Sequence, residues 1–204
     1  MHNEILTKNQ EELLPLIRQF KREFYLVGGT AIALHIGHRR SVDFDLFKFS
    51  PLRHRSNIDK IAESGYEYQV TRRVAEQMNL VINNVKITFF EYPYKIPAFC
   101  FFQDIIKLPD LSELAAMKAF ALGRRSKWKD YVDLYFILRY HLSISDVTSR
   151  ANQLFGQMFS EKLFRAQLCY FEDIDYTEQV EFLGTPIADT EIREFLITKA
   201  IEIF

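Results

Sequence analysis

The stretch FYLVGGTAIALHIGHRRSVDFDLF, residues 24–47, constrains the fold of this chain more than any other part of it. Phe24 to Val27 is a compact β-prone run that stops at Gly28-Gly29, and Thr30 to His35 reads as a helix opening directly off the glycine turn. Ser41 to Phe49 then alternates with period two. That spacing predicts a second strand with Val42, Phe44 and Leu46 on one face and Ser41, Asp43, Asp45 and Phe47 on the other. The order is strand, glycine turn, helix, strand. The chain has only 7 glycines in 204 residues, so an adjacent pair is informative.

An Asp-x-Asp on a strand sets two carboxylates side by side, here Asp43 and Asp45, where like charges repel. A divalent cation resolves that repulsion. Hard oxygen ligands suit Mg²⁺, or Mn²⁺, which typically takes one or two carboxylates together with substrate phosphates. The glycine pair supplies the complement: a helix that starts at Gly29 or Thr30 presents unpaired N–H groups and a positive dipole end, and glycine lets a phosphate approach the backbone. The Thr30 hydroxyl adds a donor, with Arg40 and Ser41 ahead of the carboxylates as further phosphate contacts. Together these residues predict a site for a nucleoside triphosphate.

The remaining sequence predicts a small mixed sheet followed by helices. Thr7 to Arg22 has helical spacing and a Thr7-x-x-Gln10 capping pattern, and Asn57 to Ser64 suggests another helix closed by Gly65. Further strands are expected over Tyr66 to Thr71, Asn79 to Ile82 and Val85 to Tyr92, with Asn83-Asn84 as a hairpin turn. From Pro109 onward only helical spacing and caps remain, giving helices from Asp110 to about Leu122, Lys129 to Tyr140, Ser145 to Phe159, Ser160 to Phe171 and Thr190 to the end. The expected architecture is α+β: an α/β core over residues 1–108 and a helical lobe over 109–204, meeting near Ile106 to Asp110.

Composition excludes several classes. With 26 Lys+Arg against 27 Asp+Glu, the chain is not a polyelectrolyte that binds nucleic acid by bulk attraction. Cys100 and Cys169 are far apart and form no metal-ligand spacing, as expected of idle thiols in a reducing compartment. The opening MHNEILTKNQEELLPL lacks the succession of a secretory signal, and no apolar run approaches the roughly 20 residues of a membrane span. A cytoplasmic protein without membrane contact is expected.

The block LVGGTAIALHIGHRRSVDFDLF resembles the first motif of nucleotidyltransferases of the DNA polymerase β type. Together with LSELAAMKAFALGRRSKWKDYVDLYFIL it is similar to the AbiEii/AbiGii toxin family of nucleotidyltransferase-like proteins. The second block carries Lys118 in a helix, then Arg124-Arg125, then Lys129, Asp130, Asp133 and Leu134. The resemblance implies Asp43 and Asp45 as metal-holding catalytic residues, Lys118 as a cation on the nucleotide's phosphates, and Asp133 as a base or as the group orienting Lys118. Asp130 is expected to pair with Arg124 or Arg125, and a Lys129–Asp133 pair would be ordinary helix stabilisation. The resemblance further implies a toxin with a cognate antitoxin, an NTP as substrate, and tRNA or another RNA end among the acceptors.

One residue departs from that pattern. Polymerase β-type enzymes usually carry a third carboxylate on a later strand, and NNVKITFFEYP has Thr88 there, with Glu91 on the opposite parity. Two other readings follow from the residues: a nucleotide-binding module without turnover, or a transferase acting on a small antibiotic-like acceptor.

Overall fold

The computed structural model describes residues 1–122, 124 and 127–202. It divides into two compact units, Met1–Asp110 and Leu111–Phe204. The first contains α1 (Lys8–Arg18), β1 (Tyr25–Val27), α2 (Gly28–Ile36), β2 (Phe44–Lys48), α3 (His54–Glu63), β3 (Gln69–Val74), β4 (Gln77–Ile82), β5 (Val85–Glu91), β6 (Cys100–Phe102) and β7 (Ile106–Leu108). The seven strands form one sheet in the order β3-β4-β5-β2-β1-β7-β6. It is mixed: β1 runs antiparallel to β2, whereas β2 with β5 and β1 with β7 are parallel pairs.

Strand alternation gives this sheet two unlike faces. Phe44 and Leu46 of β2, Ile87 and Phe89 of β5, and Met78, Leu80 and Ile82 of β4 are buried on one of them. There Phe89 meets Phe20 and Phe24 edge-on, with ring centroids 4.8 and 5.2 Å apart, packing that aromatic quadrupoles favour. The other face carries Asp45 and Phe47 in register with Thr88 and Phe90, and Asp45, Phe47 and Phe90 are only half-buried.

Local chemistry explains the boundaries. Thr7 and Gln10 close the expected capping box on α1. Asn83 and Asn84, at φ 49° and 61°, make the tight turn between β4 and β5. The strand expected over 41–49 is shorter than its alternation suggests. Ladder pairing begins at Phe44, so Val42 lies outside the core face and is 45% exposed. Residues 100–108, where the sequence predicts no strand, supply the hairpin β6–β7, and Lys107 of β7 is the partner of Tyr25 in β1.

The second unit is helical: α4 (Leu111–Leu122), α5 (Trp128–Tyr140), α6 (Ile144–Phe155), α7 (Glu161–Leu168) and α8 (Asp189–Ile201). Its described residues include an isolated β-bridge between Lys127 and Asp175. Gly156, at φ +54°, ends α6 before the expected Phe159, and Ser160 caps α7 through its hydroxyl. Arg150 of α6 holds the buried Glu113 of α4 at 2.7 Å. No helix among the described residues is long and apolar enough to cross a membrane.

Candidate active site

Gly28 opens α2 at φ +72°, a conformation that glycine adopts without strain. A Cβ at this position would run into the Asp45 carboxylate. The pairing of Val27 with Asp45 places that carboxylate over the glycine turn, at the positive end of the α2 dipole. Gly29 is required for a different neighbour: a Cβ there would stand 2.6 Å from Arg39 Nη2 and 3.0 Å from Ser41 Oγ. The Arg39 guanidinium, 2% exposed, is thus packed against the start of α2, and its Nη1 donates to the Arg40 carbonyl at 2.8 Å.

Two expected phosphate contacts are otherwise engaged. Thr30 is buried, and its hydroxyl donates to the Asp43 carbonyl and lies 3.0 Å from Ser41 Oγ. Its single proton goes to the backbone ahead of β2, so it fixes the approach to the carboxylates. Arg40 Nη1 donates to the carbonyls of Glu4 and Leu6 at 3.0 and 3.1 Å, so this guanidinium anchors the N-terminal segment. Of the adjacent arginines it is Arg39 that reaches the glycine turn. The available signal was weak, since neighbouring arginines in a loop offer no periodicity to tell them apart.

Thr88 is the β5 partner of Asp45, and the row continues through Asn79 of β4 to Arg72 of β3. Glu91 pairs with Lys48 on the opposite face. The strand position beside Asp45 therefore holds a hydroxyl, and among the described residues no three His, Cys, Asp or Glu side chains converge as a metal-ligand group. The donor set of Asp43 and Asp45 is oxygen only. Two carboxylates completed by substrate phosphates match the manner in which Mg²⁺ is commonly held.

In the second unit, Lys118 of α4 lies 2.7 Å from Asp130 Oδ1 and 2.8 Å from Asp133 Oδ2 of α5. All three side chains are at least nine-tenths buried. Asp130 and Asp133, three residues apart on one face of α5, converge on one ammonium group. Asp130 receives Lys118, and the Arg124 guanidinium stacks over Phe120, 4.1 Å from the ring centroid; the alternative of Arg125 as a partner of Asp130 lies outside the described residues. Lys129 turns away from Asp133 to Glu178 at 3.3 Å. Hydrogen bonds from Lys127, with the charges of Lys127 and Lys129, hold the Glu178 carboxyl below its ordinary range.

A mixed sheet in which a glycine turn, a helix and an Asp-x-Asp strand follow one another defines a nucleotidyltransferase fold. JHP933 of Helicobacter pylori shares it with a TM-score of 0.61 at 15% identity, over 96% of this chain and 91% of that one. MenT4, a nucleotidyltransferase toxin of Mycobacterium tuberculosis, does so with a TM-score of 0.60 at 16% identity, over 94% and 80% of the respective chains. The Aquifex aeolicus protein aq_aa25 is 33% identical over 150 residues, 67% of this chain and 68% of its own. The family described as nucleotidyl transferase AbiEii toxin, type IV TA system, matches residues 16–196, and the chain belongs to that family.

Proposed function

We propose that the protein transfers a nucleoside monophosphate from an NTP to an acceptor hydroxyl on RNA, a tRNA end among the candidates, as the toxin of a toxin–antitoxin pair. The reading is carried by the Asp45 carboxylate lodged over the Gly28 turn, with Asp43 two residues before it. Asp43 and Asp45 would hold Mg²⁺ or Mn²⁺. Such an ion offsets charge on the phosphates during transfer. The first N–H groups of α2, at Gly28 and Gly29, orient the polyphosphate, and the Arg39 guanidinium adds positive charge beside them. The acceptor oxygen attacks Pα in line, and the bond from Pα to the pyrophosphate bridging oxygen breaks. The hydroxyl proton leaves to solvent, because Thr88 stands where a third carboxylate would take it. Lys118 enters the reaction as the family's motif implies, with Asp130 and Asp133 fixing its rotamer.

Thr88 also favours a second reading, a nucleotide-binding module without turnover. Incubation with each labelled NTP and total RNA separates the two. Label entering RNA with the wild type, and falling at least about 100-fold with Asp45→Asn, supports transfer. Nucleotide binding without incorporation into RNA, protein or small hydroxylated acceptors supports the module.

A further inference from the structure

The sheet face that bears Asp45 also bears a group of aromatic rings that the transfer chemistry does not use. Phe47 and Phe90 are cross-strand partners two residues beyond Asp45 and Thr88, about 7 Å along the strands. Their ring centroids are 5.1 Å apart. Tyr92, whose backbone N–H donates to the Lys48 carbonyl, extends the same parity, its ring 5.2 Å from Phe47 and 5.4 Å from Tyr94. These four rings are half-buried, with part of their surface open. Phe49, next on the Phe47 side, is 50% exposed and lies under Lys95, whose Nζ is 5.2 Å from its centroid.

Cations border this face on three sides. Lys107 of β7 is in the row of Tyr25, Phe47 and Phe90. Arg72 of β3 ends the row of Asp45, Thr88 and Asn79, three strand spacings or about 14 Å from Asp45. Lys95 stands over Phe49 at the ends of the strands. All three are exposed, and among the described residues none of them forms an ion pair. Aromatic rings framed by unpaired cations match unpaired bases joined by phosphates, and a row several rings long is larger than one nucleotide needs.

We propose that this aromatic face seats the unpaired bases of a single-stranded RNA acceptor, with Lys95, Lys107 and Arg72 on its phosphates, so that the terminal hydroxyl is delivered along the sheet to Asp43 and Asp45. The proposal rests on the transferase reading and names its acceptor path. Bases stack on Phe90 and Tyr92 without regard to sequence, and a duplex, whose bases are already stacked on one another, gains nothing there.

The test is fluorescence anisotropy with a labelled 12-nucleotide single-stranded RNA, the same RNA annealed to its complement, and a free labelled NTP. Phe90→Leu and Tyr92→Leu keep apolar volume while removing the ring, and Arg72→Ala removes a bordering charge. Thermal unfolding confirms that each variant folds. We expect preference for the single strand, a loss of about tenfold in its affinity for each ring variant, and unchanged NTP affinity. Equal binding of duplex and single strand, or single-strand affinity indifferent to the rings, overturns the proposal and leaves the face to a protein partner. Ring variants that weaken the NTP instead overturn it in favour of an incoming-nucleotide site. Binding is read without turnover, so failed transfer with ring-dependent binding counts against the transferase reading alone.

Discussion

Gly28 meets two requirements at once, a left-handed backbone and space for a carboxylate, and the two can be separated by substitution. Gly65 is also left-handed, at φ +77°, but a Cβ there would meet nothing within 4 Å. Gly65→Ala is expected to lose only the conformational term, about 1 kcal/mol, and to keep activity. Gly28→Ala carries the same term and in addition drives Asp45 from its place, so it loses about 2–3 kcal/mol together with transfer. Urea unfolding read beside the transfer assay checks both variants; an active Gly28→Ala would show that the position of Asp45 over the turn does not matter. Lys118 presents the reverse situation, a cation whose removal leaves two buried carboxylates short of a partner. Lys118→Met is expected to destabilise the protein by about 3 kcal/mol in the same assay, a cost far above that of an exposed lysine.

At the scale of elements, legibility followed the strength of local patterns. Capping at Thr7 and Gln10, the Asn83-Asn84 turn and the glycine stop after α3 were readable because each depends on neighbours in sequence. β6 and β7 were not, since three residues cannot display a period and β7 is held by its distant partner β1. The Asp-x-Asp and the glycine pair stood out as residue types in a fixed order. Yet the backbone partners of the Thr30 hydroxyl and of the Arg40 guanidinium were not legible, because what a donor reaches depends on chain folded back upon it. Glu23 shows the same limit. It joins Lys60 of α3 and the buried Lys48 of β2 at 3.0 and 3.4 Å, a tie spanning 37 and 25 residues. The hydrogen bond from Lys60, reinforced by charge from both lysines, lowers the Glu23 pKa. A depressed carboxylate contributes stability above its unfolded-state pKa, near 4.3 for glutamate, and loses it as pH falls through the folded value. Glu23→Gln is therefore expected to lower stability by about 1 kcal/mol at pH 7, with the difference between wild type and variant shrinking in urea unfolding as pH falls below the ordinary glutamate range.

At the scale of the whole molecule, a formal charge of -1 provides no general attraction for a polyanion, so any affinity for RNA must come from local placement of cations. The sheet face that bears Asp45 offers three, Arg72, Lys95 and Lys107, around its half-buried rings. Neutralising about three phosphates of a single strand gives a slope of about -2 for log affinity against log salt. Raising KCl from about 50 to 200 mM should then weaken the 12-nucleotide RNA by about twentyfold, far less than the thousandfold or more lost by proteins that grip DNA through 6–10 phosphates. Arg72→Ala should reduce the slope by about 0.7 and Phe90→Leu should lower the affinity at every salt concentration without changing the slope, since stacking releases no counterions. Anisotropy titrations over that salt range measure both quantities. A steep slope unaffected by Arg72 would place the RNA on another surface, whereas a shallow slope shared by all variants, with ring-dependent affinity, would leave stacking as the dominant contact.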